Sequence, residues 1–124
     1  MSPGDLARDF IAAMNAYDAD ALVALLTDDA ELHGFKGTYI GHEEARRWLG
    51  TPGPNLRSSI TIDDLRENDD RALVAATREW IWVESGEHAD DERWHCVFWC
   101  KDKKVARWQP FHYLPEAAAA FEGG

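Results

Sequence analysis

Residues 72–113 contain three stretches, ALVAATREWIWV (72–83), RWHCVFWC (93–100) and VARWQPFHY (105–113). Each is rich in β-branched and aromatic residues, as β-strands are. A similar run, residues 58–66, precedes them, and the segments between the four runs are short and polar. Because short polar connections join neighbouring antiparallel strands, this half of the chain predicts a four-stranded antiparallel meander.

The first half of the chain has a helical period instead. Leu6, Phe10 and Met14 recur four residues apart, which predicts an amphipathic helix over residues 5–16 with one buried stripe. Further elements are expected in this order: a short helix at 22–26, a weak strand at 30–35, a helix at 41–49 and, at the end, a short helix from Pro115. Helices first and sheet second predict the α+β class, with three N-terminal helices packed on a curved, mainly antiparallel sheet.

The composition limits both the size and the partners of the protein. A chain of 124 residues fits one domain, residues 1–124. The formal net charge of -10 repels phosphate backbones and anionic lipids, so we expect neither a nucleic-acid nor a membrane partner. The first residues lack the pattern of a secretory signal and no apolar run is long enough to span a bilayer, so a cytoplasmic location is expected.

The cysteines and the acidic clusters give no sign of a metal or a cofactor. Cys96 and Cys100, if they lie on one strand, are about 13 Å apart and beyond disulfide reach, and we interpret both as buried apolar thiols. The cluster His42-Glu43-Glu44 lacks a second histidine at helical spacing. No Gly-rich phosphate loop or nucleophile elbow is visible. We therefore expect no metal and no cofactor.

Side chains alternate across a strand, so each quoted stretch has two faces. Glu79 in the first stretch and Arg107 in the third are charged, so the faces that carry them are expected to be exposed to solvent. The opposite faces are therefore expected to point inward, and they carry Arg78, Trp80, Trp82, Trp108 and His112.

The middle stretch has no Asp, Glu, Lys or Arg between residues 94 and 100, so its faces are harder to tell apart. We place His95 and Trp99 with the inward set. The alternate set would then face outward, where three short helices cannot cover it. We therefore expect a homodimer whose interface buries Trp94, Cys96, Phe98 and Phe111.

Several segments together match a known pattern: DFIAAMNAYD (9–18), the leucines of 22–26, DDAELH (28–33), GTYIGHEEA (37–45) and VARWQPF (105–111). With these segments the chain resembles the SnoaL-like members of the NTF2-like superfamily over essentially its whole length. The resemblance implies a cone-shaped fold with an apolar cavity between helices and sheet, and a dimer. It implies no single activity, because this fold serves isomerases, polyketide cyclases, dehydratases, epoxide hydrolases and binding modules.

At the positions that match the ketosteroid isomerases of the superfamily, this chain lacks the polar groups that isomerase chemistry needs. Ketosteroid isomerases of the superfamily place a phenol donor at the position of Phe10, a general-base aspartate at Gly34 and an acid near Val97. The aspartate, arginine, aspartate set of the related epoxide hydrolases is also missing, because Arg78 is the one charged group at the expected inward positions. Neither activity is assigned.

The expected interior is an aromatic box with a few polar points, which is typical of a small-molecule site. Its pocket residues are Phe10, Met14, Arg78, Trp80, Trp82, Trp99 and Trp108, with Arg78 either contacting an anionic ligand group or reaching solvent. The candidate catalytic residues are His33, His95 and His112, because histidine exchanges protons near neutral pH. The tryptophans can equally fill a core, and the histidines can equally be structural.

Two functions therefore stay open at this point. The first is an isomerase, cyclase, dehydratase or hydrolase that applies acid–base chemistry to a small, largely apolar molecule. The second is a non-catalytic module that binds a ligand or another protein.

Overall fold

The computed structural model describes residues 1–123, and these form four helices and one six-stranded sheet. The helices are α1 (Pro3–Ala16), α2 (Ala19–Ala24), α3 (Gly41–Leu49) and α4 (Leu114–Gly123). The strands are β1 (Leu26–Gly34), β2 (Gly37–Ile40), β3 (Leu56–Glu67), β4 (Arg71–Trp82), β5 (His88–Lys101) and β6 (Lys104–Phe111). Their spatial order is β2-β1-β6-β5-β4-β3, so the predicted α+β class is confirmed.

The meander predicted from the second half of the chain is present as β3 to β6, each antiparallel to the next. The first half contributes more strand than expected. Leu26 begins β1, where a helix was expected to continue, and β1 pairs with β6 in the parallel direction. The short strand β2 extends the sheet beyond β1. The sheet is therefore mixed, although four of its five pairings are antiparallel.

Helix α1 is fixed at both ends and along its side. Ser2 and Asp5 form a capping box at its start, and Tyr17 ends it in the left-handed conformation. The side chain of Asn15 makes two hydrogen bonds to the backbone of Ile60 on β3: Asn15 Nδ2 donates to the carbonyl at 2.9 Å, and Asn15 Oδ1 accepts from the amide at 2.7 Å. These contacts hold the buried stripe of α1 against the inner face of the sheet.

A β-bulge in the hairpin between β5 and β6 decides which way the side chains of β5 point. Next to the turn, Cys100 lies opposite Val105. The register then shifts by one residue, so that Trp99 lies opposite Arg107 rather than Ala106. Because side chains alternate with a period of two, the extra residue on β6 puts residues 95–99 of β5 on the faces opposite to those that an unbroken register with β6 would give.

The predicted facing of β5 is therefore wrong. Trp94, Cys96 and Phe98 lie on the inner face and are buried within a single chain, so they cannot form the expected dimer interface. His95 and Trp99 lie on the outer face instead, because the bulge places them with Arg107 and its neighbours.

The outer face of the sheet is partly covered by α4. Ala117 of this helix packs with Leu73 and Val97, and the half-buried Phe121 and Trp99 adjoin them. The N-terminal helices cover the inner face, where the main core lies. Within residues 1–123 no helix is both long and apolar enough to cross a lipid bilayer.

Candidate ligand-binding cavity

A cavity of about 550 Å³ lies between the N-terminal helices and the inner face of the sheet. Its size is within the roughly 300–1,000 Å³ of ordinary small-molecule sites. Two helices and five strands contribute to its wall: Met14 from α1, Gly34 from β1, Phe35 and Lys36 from the following turn, Tyr39 from β2, Trp48 from α3, Arg78 and Trp80 from β4, Glu92 and Trp94 from β5, and Trp108 and Pro110 from β6.

Indole rings form much of the cavity wall. The ring of Trp108 lies 5.1 Å from that of Trp48 and 6.4 Å from that of Trp94, measured between centroids. Phe10 supports this group from behind, because it is fully buried and packs on Trp108 with centroids 5.8 Å apart. Phe10 thus lies in the core beneath the cavity wall, while Met14, Trp80 and Trp108 line the cavity as the sequence predicts.

Contacts with two other side chains fix the guanidinium of Arg78 in the cavity wall. Its guanidinium carbon lies 4.6 Å from the centre of the Trp80 ring, and its Nη2 donates to the hydroxyl of Ser58 at 3.1 Å. Its Nε is buried and has no hydrogen-bond partner in the described part of the chain. The same side chain lines a smaller space of about 100 Å³ beside Tyr17.

Two further charged side chains, Lys36 and Glu92, line the cavity. Glu92 lies opposite Arg78 in the pairing of β4 and β5, yet no carboxylate of residues 1–123 comes within 4.0 Å of the Arg78 guanidinium. The cavity therefore combines a mainly aromatic wall with one anchored cation and one carboxylate.

None of the three candidate histidines belongs to the cavity wall formed by the described residues. His33 lies outside it and hydrogen-bonds the carboxylate of Glu31 at 2.9 Å. His95 is on the outer face, for the reason given above. His112 is exposed and stacks on Phe35 at 4.1 Å between ring centroids, beside the cavity entrance. The structure does not bring the three imidazoles together at one site.

Two of the tryptophans expected in the pocket are elsewhere. Trp82 is 45% exposed and lines a separate, more open pocket of about 570 Å³ together with Asn55 and Val83. Trp99 lies on the outer face, where the guanidinium carbons of Arg107 and Arg71 are 4.5 Å and 5.9 Å from its ring centre. Trp82 is displaced because β4 extends beyond the cavity, and Trp99 because of the bulge.

Sequence reasoning missed Trp48, Trp94 and Glu92 as cavity residues. The sequence predicted Trp48 on the apolar side of a helix. Whether that side contacts the core or the cavity depends on how α3 packs against the sheet, which the sequence does not show. Trp94 and Glu92 share the inner face of β5, and only the register of the bulged hairpin reveals it. The pairing of Arg78 with Glu92 also depends on a register shift between Trp80 and Ile81, so a simple count along the sequence does not locate Glu92.

The two thiols lie on β5 outside the cavity wall and are not joined. Burial raises the pKa of Cys96 to about 12, and the indole of Trp108 opposes this rise. Burial, and to a lesser extent the charge of Asp70, raises the pKa of the half-buried Cys100 to about 11. In the described residues, no three histidine, cysteine or acidic side chains are grouped to hold a metal ion.

The sequence profile of the SnoaL-like domain matches residues 7–108. The chain belongs to the SnoaL-like family. No protein of curated function matches it. The resemblance seen in the sequence is thereby confirmed over most of the length of this SnoaL-like protein.

Solved structures that share the fold have low sequence identity. A proposed polyketide cyclase from Pseudomonas putida KT2440 is 21% identical, with a TM-score of 0.74, over 93% of this chain and 94% of its own. A protein with a ketosteroid isomerase-like fold from Catenulispora acidiphila DSM 44928, in complex with trimethylamine, is 16% identical, with a TM-score of 0.74, over 99% of this chain and 95% of its own. A computationally designed 17-OHP binder is 13% identical, with a TM-score of 0.73, over 93% and 96%. At these identities the likeness establishes the fold alone.

Proposed function

We propose that this SnoaL-like protein binds a small, largely apolar, ring-containing molecule in the cavity. The observation that carries the proposal is the wall itself, in which four indoles, Trp48, Trp80, Trp94 and Trp108, surround open space of about 550 Å³. A ring inserted among indoles gains both apolar burial and offset or edge-to-face stacking, the latter worth about 0.5–1.5 kcal/mol for each pair.

The neighbours in fold support such a use. The designed relative binds 17-OHP, and the Catenulispora protein was solved with trimethylamine. Both show that this fold can hold a small molecule, and the aromatic wall described above gives this chain a surface of its own for one.

Acid–base catalysis in the same cavity is a second candidate function, favoured by Glu92. This side chain is the one carboxylate among the cavity-lining residues that the structure describes. A cyclase, isomerase, dehydratase or hydrolase would need such a group within reach of the bound substrate. Proton transfer by His33, His95 or His112 stays a prediction, and His112 stacks on the cavity-lining Phe35. Formation of a product from the bound compound distinguishes this candidate from binding alone.

The test uses two alanine variants of the same strand. Titration calorimetry with 2-naphthol, a neutral two-ring compound, should give saturable 1:1 binding to the wild type. Trp94→Ala should weaken that binding at least tenfold, because it removes an indole from the wall. Trp99→Ala is the matched control and should bind as the wild type does, because Trp99 lies on the other face. Equal loss in both variants, or no binding to the wild type, would contradict the proposal.

We also propose that two copies associate through the outer face of the sheet. On that face the buried Nδ1 of His95 and the buried Nε atoms of Arg71 and Arg107 lack hydrogen-bond partners within residues 1–123. The half-buried rings of Trp99 and Phe111 lie among them. Buried polar atoms without partners are unfavourable, so a second surface that supplies acceptors there would stabilise the arrangement.

A further inference from the structure

We propose that Arg78 is an anion receptor inside the cavity, so that the ligand is a ring compound bearing a carboxylate or a comparable oxyanion. This inference rests on the proposed function, because it names the chemical class of the molecule that the aromatic wall would hold.

The orientation of the Arg78 side chain is set before any ligand arrives. Trp80 packs against the flat face of its guanidinium, and Ser58 accepts one of its five N–H bonds. Tyr17 in turn lies 3.4 Å from the Ser58 hydroxyl, measured between the oxygens, and limits its rotation. An arginine fixed in this way loses little conformational entropy when it binds an anion.

The guanidinium is left with more donors than the described residues satisfy. Ser58 takes one N–H, and the buried Nε finds no acceptor among residues 1–123. Arginine stays protonated in proteins, so the group cannot relieve the cost by losing its proton. A buried donor without a partner costs roughly 1–3 kcal/mol, and more when it is charged. A planar carboxylate can accept two parallel N–H bonds from one guanidinium, which would satisfy the group best.

The charges around the cavity favour an anion over a cation. Arg78 and Lys36 contribute two positive charges to the wall, against the one carboxylate of Glu92. This balance is opposite in sign to that of the chain as a whole, whose formal net charge is -10. Glu92 is exposed and lies beyond 4.0 Å from Arg78, so within the described chain it does not neutralise the guanidinium as an ion-paired carboxylate would.

An aromatic wall by itself would also suit an ammonium ion, because cations are attracted to the faces of indole rings. The Catenulispora protein of the same fold is in complex with trimethylamine. Here, however, the face of Trp80 already holds the Arg78 guanidinium, and a second cation beside it would be repelled. The two ligand classes therefore make opposite predictions for probes that share one ring system.

The experiment measures the affinity of three naphthalene compounds by titration calorimetry at pH 7.5. They are 2-naphthoate, the neutral 2-naphthamide and the cation (2-naphthylmethyl)trimethylammonium. We expect 2-naphthoate to bind wild-type protein at least tenfold more tightly than the amide, and the cation to bind most weakly. In Arg78→Met the preference for naphthoate over the amide should fall below twofold.

Two further variants test the inference without depending on the folding of Arg78→Met. Arg78→Lys retains the positive charge but not the planar fork, so it should keep a reduced preference for naphthoate. Glu92→Gln leaves Arg78 in place and removes the opposing carboxylate, so it should increase the preference for naphthoate over the amide. Far-UV circular dichroism of each variant confirms that it is folded.

The outcomes separate this inference from the proposed function. If the amide binds wild type as tightly as naphthoate, or if the preference survives in Arg78→Met, the cavity binds rings but Arg78 is not an anion receptor. Tightest binding of the ammonium probe overturns the inference in the same way. If none of the three probes binds, both the anion receptor and the proposed ligand cavity are refuted.

Discussion

Replacing Phe10 by alanine tests how the cavity wall is built. Phe10 is fully buried and touches three other rings, at centroid distances of 5.0 Å to Phe98, 5.8 Å to Trp108 and 6.0 Å to Trp48. Truncation of a buried phenylalanine to alanine typically costs about 3–5 kcal/mol. Each aromatic pair adds about 0.5–1.5 kcal/mol beyond simple burial, so a value near the top of that range, about 5 kcal/mol, is expected.

Phe10→Leu provides the graded comparison. Leucine keeps most of the apolar volume but loses the ring contacts, so its expected cost is about 1–2 kcal/mol. Urea unfolding followed by far-UV circular dichroism gives both values without relying on the emission of the tryptophans that surround the site. With a denaturant slope of about 2 kcal/mol per molar, the alanine variant should unfold at a urea concentration about 2.5 M lower than the wild type, and the leucine variant at one about 0.5–1 M lower.

The result that would refute this reasoning is a small or ungraded effect. A loss below about 2 kcal/mol in Phe10→Ala would mean that Phe10 is not enclosed between the sheet and the indoles. Equal losses in the two variants would mean that volume and ring contacts are not what Phe10 supplies. If the alanine variant proves too unstable to measure, the leucine variant alone still discriminates, because an exposed Phe10 would cost almost nothing to replace.

Two further predictions concern the thiol and the outer face. Because burial raises the pKa of Cys96 to about 12, the folded protein keeps a proton that the unfolded chain loses near pH 9. The contribution of the protonated thiol to the free energy of unfolding is complete below pH 9 and is lost as the pH rises towards 12. From pH 8 to pH 11, the free energy of unfolding measured in urea should therefore fall by about 3 kcal/mol more in the wild type than in Cys96→Ala. Equal losses would contradict the burial of the thiol. For the proposed dimer, sedimentation equilibrium of the wild type should give twice the chain mass of 14.0 kDa. Trp99→Glu should reduce this to the mass of one chain. A wild type with the mass of one chain would rule the association out.

The helices and strands were largely predictable because their periods are strong. The four-residue recurrence of Leu6, Phe10 and Met14 identified α1, and the β-branched and aromatic runs identified β3 to β6. The pairing of β1 with β6 was not predictable, because Leu26 reads equally well as the end of a leucine-rich helix. Its choice of strand depends on contacts made elsewhere, such as the hydrogen bond from the amide of Val105 to the carbonyl of Leu25 at 2.7 Å.

The candidate site was predictable only where a charge marked a face. Glu79 and Arg107 oriented β4 and β6 correctly, and Trp80 and Trp108 line the cavity as expected. On β5 no charge marked a face between residues 94 and 100, and the hairpin turn gave no register. Asp102 and Lys103 occupy it with φ of 54° and 64°, a conformation usually signalled by asparagine or glycine.

The measurement that tests the central claim most directly is a ¹H–¹⁵N correlation spectrum of the indole N–H groups during titration with 2-naphthol. The chain has six tryptophans, and single Trp→Phe variants assign the six signals. The signals expected to shift are those of the cavity wall, Trp48, Trp80, Trp94 and Trp108, while those of Trp82 and Trp99 stay in place. Shifts confined to Trp82 or Trp99, or a spectrum unchanged at millimolar 2-naphthol, would contradict a ligand cavity on the inner face of the sheet.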